Sequence, residues 1–506
     1  MIDAVLQEAK SKLNILTIQH GRITNMEVVQ KHKLDIGLGF LLDEVPDYLR
    51  VCVSLKPTND SDIKVEVWLP VNNWNGSFLG TGNGGSAGTI DVLSLNNGVR
   101  LGFASANTDM GTSPNPDALI GKKERWKDFG YRSTHLMTVV AKQIIQAYYE
   151  KEIEYSYFSG GSTGGQQGLM EAQRFPKDYN GILVCAPANN RIHLHVGFVW
   201  DWLAVAQCDQ TKFTLEQAKK ITKRILECYG KEGGALSGEK FMSHPDQLII
   251  DTAIFKKCDF LSKEQVNALK LLYQGPVDRS NEKRIFRSLV TPGSEAGSLG
   301  LVDRSDKDKF AEDFFYLFRW IFGKDYDFTC FDFEKDTMRA DETLGEILSA
   351  TDADLSQFQE QGGKLLMLHG TADPIIPYTQ TMDYYDKVVE KQGSLEKTMD
   401  FCRLFLIPGM AHNFSGPGLQ DIMLGARATP KDKEHLGILA LKSWVETKKA
   451  PEQLLPVAFQ DNNALNGFLQ ETYVYERPVY PYPWEAEYIE GNPYVINNFK
   501  KCKRKS

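Results

Sequence analysis

The chain has no stretch approaching the roughly 18 consecutive apolar residues that a membrane-spanning helix requires. Its first residues, Met1-Ile-Asp-Ala-Val-Leu-Gln-Glu-Ala-Lys10, carry early acids in place of the apolar run of a signal peptide. The eight cysteines, at 52, 185, 208, 228, 258, 330, 402 and 502, never fall into C-x-x-C spacing. That excludes the common zinc patterns and does not match a secreted disulfide framework, so a cytoplasmic setting is expected. Excess charge is scarce as well. A net charge of −8 over 506 residues argues against nucleic acid or an anionic membrane as the main partner. The local exception, Lys500-Lys-Cys-Lys-Arg-Lys505, is expected to be a solvated, frayed terminus. The glycine-rich stretch 81–88 fits neither G-x-x-x-x-G-K-[ST] nor G-x-G-x-x-G, so no nucleotide cofactor is implied.

What is present is the composition of a soluble globular chain, 42% hydrophobic and 25% charged. Its length allows two to four domains at about 150 residues each. Residues 1–44 begin helix-prone and continue into a mixed stretch of unread role. From Leu49 the period is two. Leu49–Leu55 and Ile63–Leu69 alternate around a Pro/Asn/Asp turn, predicting an antiparallel hairpin. Further strands are expected at Ser77–Gly80, Gly102–Asp109, Tyr155–Phe158 and Gly181–Ala186. A crossover helix is expected over Arg132–Glu150, where Leu136, Val140, Ile144 and Tyr148 recur at helical spacing. Strand and helix in alternation imply a mostly parallel α/β sheet. After Ala188 the pattern turns helix-rich, with Val199–Ala204, Leu215–Cys228, Lys263–Tyr273 and Phe310–Phe322 as the best helical stretches. Aromatics crowd this block, which suits core packing or a lid over an aromatic ligand. The sheet pattern resumes at Lys364, followed by a helix over Tyr378–Val389, a strand from Phe401 and a closing helix over Asp432–Lys448. Arg477–Trp484 reads as too proline-rich for regular structure.

Gly160-Gly-Ser162-Thr-Gly164 fits G-x-S-x-G between a strand and a helix expected from about Gln166. Such a turn is sharp enough to strain the nucleophile's backbone, and it points the hydroxyl above the sheet near the free N–H groups of the new helix. Ser162 is the candidate nucleophile. The order Ser162…Asp373…His412, each at the end of a strand-like run, is that of α/β-hydrolase triads. In that chemistry His412 takes the serine proton and Asp373 holds the imidazole tautomer. The loop Thr81–Gly88 follows a strand and is rich in glycine. It supplies one oxyanion donor, Gly84 or Gly85, with the Thr163 N–H as the second. Other histidines lose by position. His193 and His195 lack an acidic strand-end companion, His369 reads as a core residue, and His135 with Arg132 reads as structural. No metal-ligand set is assigned.

The segment Gly161-Ser-Thr-Gly-Gly-Gln-Gln-Gly-Leu-Met-Glu-Ala-Gln-Arg-Phe-Pro-Lys-Asp-Tyr-Asn-Gly-Ile182 resembles the nucleophile region of the tannase and feruloyl esterase family. The resemblance extends to Glu66–Pro70, Gly82–Gly85, Gly363–Lys364, Gly370–Pro374, Gly409–His412 and Arg477–Pro483. It implies an α/β-hydrolase with a lid domain that cleaves esters of aromatic acids such as ferulate or gallate. Three departures stand out. The family's cysteines before the serine and after the histidine, joined there as a disulfide, are Gly161 and Asn413 here. Its calcium loop corresponds to Cys228–Gly238, which keeps glycines but no aspartate. Glu232 with Ser237 cannot supply the six to eight oxygens that calcium takes. The family's cysteine in the proline-rich motif is Tyr480.

The expected organisation is an N-terminal extension (1–44), a catalytic domain (45–189 and 350–506) and an inserted lid (190–349). The expected activity is hydrolysis of aromatic-acid esters through an acyl-enzyme on Ser162, without a cofactor, with a small-molecule aromatic ester as substrate, no nucleic acid or membrane as partner, and the oligomeric state left open. Acyl transfer or another ester is the alternative within enzymes, and a catalytically silent binding fold is the alternative outside them.

Overall fold

The computed structural model describes residues 2–35, 41–206, 208–256, 258–278, 280–412, 416–423, 425, 428–460 and 472–504. They form two compact units. Met1–Asn189, Ile347–Leu366 and Leu441–Lys449 make the first; Asn190–Glu346, Met367–Ala440 and Ala450–Ser506 make the second.

The first unit is built on a sheet of β1 (Gly21–Val29), β2 (Tyr48–Leu55), β3 (Ile63–Pro70), β4 (Ser77–Thr81), β5 (Ala104–Thr108), β6 (Tyr155–Gly161) and β7 (Gly181–Cys185). Their spatial order is β1-β2-β3-β5-β4-β6-β7, and the first residues of β8 (Lys364–Gly370) come next. The expected hairpin is present: β2 and β3 pair antiparallel from Tyr48 opposite Pro70 to Leu55 opposite Ile63. From β5 onward the neighbours β5–β4, β4–β6 and β6–β7 are parallel. These central strands are short and buried along nearly their whole length, as parallel strands covered on both faces must be. Residues 2–29 are not a separate body. Helix α1 (Ile2–Leu13) leads into β1, which takes the sheet edge against β2. An edge strand that is half exposed along its length carries no sharp period, which is why its role was illegible.

Around this sheet lie α2 (Val92–Arg100), α3 (Ser133–Tyr149) and α4 (Thr163–Arg174). Helix α3 is the expected crossover and buries Met137, Val140, Ala141, Ile144 and Ile145. Helix α4 starts at Thr163, three residues before its expected beginning. Glycines 164 and 165 are poor helix formers, but their lack of a side chain is what lets the first turn pack closely.

In the second unit the end of β8 is followed in the sheet by β9 (Cys402–Ile407). Its helices include α5 (Arg191–Val205), α6 (Leu215–Tyr229), α7 (Lys263–Gln274), α8 (Leu301–Ser305), α9 (Lys307–Phe314), α10 (Tyr316–Phe322) and α11 (Tyr378–Gln392). Helix α5 is buried on all sides, which explains its near-continuous apolar sequence. Phe315 breaks the single helix expected over 310–322 into α9 and α10. The aromatic crowding is core: Phe198 meets Phe310 and Phe314, Trp202 meets Phe315, and Phe318 meets Phe331. The closing helix is shorter than expected, Gly437–Thr447.

The C-terminal stretch departs most from expectation. Trp484–Tyr488 and Phe499–Lys503 pair as an antiparallel hairpin, and Val479 and Pro481 bridge to Leu454 and Phe405. The basic terminus is therefore not frayed over the described residues. Arg504 forms a largely buried ion pair with Asp246, and Lys500 pairs with Glu487. Among the described residues no helix is long and apolar enough to cross a membrane.

Candidate active site

Ser162 sits where β6 ends and α4 begins, with φ 58° and ψ −118°. This left-handed conformation is rare for a residue with a Cβ, and here it is over-determined by hydrogen bonds. The Ser162 N–H donates to Cys185 O at 2.9 Å, and its carbonyl accepts from Gln166 N at 3.1 Å and Ala188 N at 3.0 Å. Every neighbour that fixes the turn is backbone, so the side chain stays partly exposed. Gly160 is needed two residues earlier because a Cβ there would lie 2.5 Å from Gly164 O.

The loop Thr81–Gly85 is locked to this turn. A Cβ on Gly82 would collide with Gly164 Cα, and Gly164 N donates to Asn83 O at 2.7 Å. Asn83 N donates to Gln167 Oε1 at 2.9 Å, while Thr163 Oγ1 donates to Gly85 O at 2.7 Å. Asn107 Nδ2 donates to Thr81 O and its Oδ1 accepts from Asp91 N. The Asn83 amide in turn donates to Thr108 O at 2.9 Å. Gln167 Oε1 occupies the Asn83 N–H; at Gly84 and Gly85 a Cβ would meet nothing within 4 Å. Asn83, Asn107 and Gln167 were not singled out from the sequence. Their signal is a buried amide beside a glycine-rich loop.

In the second unit, Asp373 and His412 meet: His412 Nδ1 lies 2.7 Å from Asp373 Oδ2, both side chains buried. Asp373 Oδ1 accepts from Ile375 N at 2.9 Å and Ile376 N at 3.0 Å. Burial alone would raise the pKa of this carboxyl. The His412 and His369 rings outweigh burial and hold it well below the usual carboxylate range. Thr371 Oγ1 accepts from Gly409 N and donates to Met242 O, tying the acid turn to the histidine loop. Thr291 Oγ1 donates to Asp373 O at 2.9 Å, and Arg304 Nη2 donates to Pro374 O at 2.6 Å. Arg304 is itself paired with Asp201 at 2.7 Å, both fully buried.

The remaining candidates are absorbed by packing. His193 Nε2 meets Asp341, while His195 is buried with Nδ1 on Phe314 O; burial and then Arg191 push the His195 pKa well below its ordinary value. Arg132 bonds Asp128 and Glu124. Asp352 and Asp354 cap the turns after them, through Asp354 N and Ser356 N. His135, Glu171 and Asp178 bring their ligand atoms within 4.8 Å of one another. Yet His135 Nδ1 and Asp178 Oδ2 are 2.6 Å apart, a direct hydrogen bond. Tetrahedral ligands at 2.0–2.1 Å from a metal stand about 3.3 Å apart. Lys142 Nζ also donates to Asp178 O. His135 and Asp178 thus form a hydrogen-bonded strut between α3 and the loop after α4. In the stretch 228–239, Glu239 is taken by Arg477 in a buried ion pair and Glu232 is exposed. All eight cysteines are free thiols. Asn413, the counterpart of Gly161 in the family's disulfide, lies outside the described residues.

The sequence model of the family described as "Tannase and feruloyl esterase" matches residues 49–502. The chain belongs to that family. It is 30% identical over 500 residues to an uncharacterized esterase of Xanthomonas campestris pv. campestris, covering 91% of this chain and 85% of that one. It is 30% identical over 449 residues to feruloyl esterase B of Aspergillus niger, covering 86% and 83%. Among solved structures, feruloyl esterase B from Aspergillus oryzae superposes with a TM-score of 0.87 at 25% identity, covering 98% of this chain and 100% of that one. Tannin acyl hydrolase from Aspergillus niger, at 19% identity, shares the fold with a TM-score of 0.76, covering 99% and 96%. The fold is that of an α/β-hydrolase, and the protein is a carboxylic ester hydrolase.

Proposed function

We propose that this esterase hydrolyses esters of aromatic acids, hydroxycinnamic or gallic, through an acyl-enzyme on Ser162. His412 removes the serine proton as Oγ attacks the ester carbonyl and returns it to the leaving alcohol. Water then enters by the same route in reverse. Asp373 keeps Nδ1–H of His412 directed at itself, so that Nε2 is the nitrogen available as base. The N–H groups of Thr163 and of Gly84 or Gly85 receive the oxyanion, a contribution worth about 3–4 kcal/mol per donor in such sites.

The observation that carries this reading is the backbone of Ser162, held at φ 58° and ψ −118° at the head of α4. A structural serine has no need of that conformation. The buried Asp373–His412 bond supports the base assignment, and the names of the feruloyl esterase relatives support the acid moiety. The test is a panel of methyl ferulate, methyl gallate, chlorogenate and simple alkyl esters, run on the wild type and on Ser162→Ala. Turnover is expected to favour the aromatic acids and to vanish in the variant. Substantial hydrolysis by purified Ser162→Ala refutes the nucleophile, and a preference for alkyl esters refutes the substrate class.

A further inference from the structure

Asp373 has a second imidazole against it. His369, at the end of β8, is fully buried, and its Nε2 lies 3.0 Å from Ile376 O and 3.4 Å from Asp373 Oδ2. Both are acceptors, so the hydrogen-bond partners place a proton on Nε2. On the far side Nδ1 meets Thr381 Oγ1 at 2.8 Å, which fixes the plane of the ring from α11. The same N–H therefore closes the turn 373–376 through Ile376 O and faces the carboxylate oxygen that His412 uses. A histidine chosen only to fill the core has no reason to aim its single donor between the backbone of that turn and its carboxylate.

Resting on the triad reading above, we propose that His369 is a positioning residue for ester hydrolysis, holding Asp373 Oδ2 in the orientation that directs His412. The other charged or titratable groups around it are His412 on Asp373 itself, Arg304 on Pro374 O, and Tyr378, whose ring lies 6.4 Å from His369 and whose hydroxyl is paired with Asp246. His412 donates to the same Oδ2 from its own loop, whereas Arg304 ends on Pro374 O and the Tyr378 hydroxyl on Asp246. Removing the donor leaves Oδ2 less neutralised and less fixed. The imidazolium of His412 is then favoured, and the aligned base is present for a smaller fraction of the time.

The test uses the full-length enzyme with an ester it turns over, and compares His369→Leu, His369→Gln, Thr381→Val and Asp373→Asn. A glutamine amide reaches the place of Nε2 and can donate there; leucine cannot. His369→Leu removes the N–H that closes the turn and stands 3.4 Å from Oδ2, and is expected to lower kcat by roughly 10- to 100-fold. KM should hardly change, and the acid limb of the kcat/KM profile should move to higher pH. His369→Gln should recover most of kcat and the original limb. If His369→Leu does not fold, Thr381→Val decides: several-fold lower kcat at unchanged KM supports the role, and wild-type kcat overturns it. Variants at 369 that melt earlier yet keep the wild-type kcat and pH profile also overturn it. Full activity in Asp373→Asn would instead remove the triad reading, and this inference with it.

Discussion

The strain at Ser162 can be measured, because it resides in a single Cβ. A non-glycine residue in so sparsely populated a backbone region costs about 1–3 kcal/mol. The fold tolerates the cost because three backbone hydrogen bonds to Ser162 leave no other conformation open. Ser162→Ala keeps the Cβ and removes the hydroxyl; Ser162→Gly removes both. Both variants should be inactive, so activity drops out of the comparison. Glycine gains the released strain and loses about 0.5–1 kcal/mol to the greater freedom of its unfolded chain. Ser162→Gly is therefore expected to be more stable than Ser162→Ala by up to about 2.5 kcal/mol. For a cooperative unit of about 150–250 residues that is a rise of up to roughly 10 °C, at 2–4 °C per kcal/mol. Denaturant midpoints with unchanged m-values, alongside thermal melts, give the number. A glycine variant less stable than the alanine variant would show that the turn is relaxed, and the main physical argument for Ser162 as nucleophile would fall.

Glu171 is fully buried with no donor to either carboxyl oxygen, and burial followed by the charge of Asp178 raises its pKa well above the ordinary value. A raised carboxyl favours the folded state below its unfolded pKa near 4.3 and loses that advantage as pH climbs toward the folded pKa. Glu171→Gln should therefore gain stability at pH 7 by up to about 3–4 kcal/mol, shrinking toward pH 4–5, in denaturant titrations at the two pH values; an equal loss at both would refute it. Asp201→Ala strands the buried Arg304 cation and should cost about 3–5 kcal/mol, of which Asp201→Leu with Arg304→Met should recover part; a single variant as stable as wild type would contradict the pairing. Chelation by EDTA should leave melting temperature and activity unchanged, since Glu239 is committed to Arg477. A fall reversed by calcium would show that the 228–239 loop binds the ion.

Local signals were legible in the sequence. A nucleophile turn requires glycine at fixed offsets, a hairpin requires period two, and an acid or base at a strand end leaves a strand-then-turn signature; 155–164, 49–69, 364–373 and 401–412 all carry one. Where the sequence failed, the deciding partner was distant or the element lacked a period. Arg304 stands 103 residues from Asp201 and 70 from Pro374, and nothing near it marks it as more than a surface cation. Asn107 lies in a strand of Ala, Ser and Thr, where a buried amide looks like a strand breaker until the loop it holds is in place. The terminal lysines read as disorder because an edge strand protected by lysine has the same composition as a frayed tail. His369 looked like a core histidine, and it is one by burial. Only the direction of its Nε2 distinguishes it.

The insertion also changes what its own sequence variation means. Read from composition, residues 190–349 are a helix-rich block whose aromatics suit core packing or a lid over an aromatic ligand. In the second unit, three of its groups end on the acid turn. Thr291 and Arg304 donate to the carbonyls of Asp373 and Pro374, and Met242 O accepts from Thr371. The carbonyls of 373 and 374 and the hydroxyl of 371 thus depend on partners 70–129 residues away in the chain. A turn so held transmits any shift of α8 to the carboxylate, because the interior is close-packed and its bonds are short. Substitutions at Thr291 or Arg304 should then depress kcat across every ester in a panel by a similar factor. Substitutions of insertion residues without such bonds should instead alter the ranking of esters through KM. The side chains that end on residues 371–374 are thus the ones in this block whose substitution is expected to act on alignment.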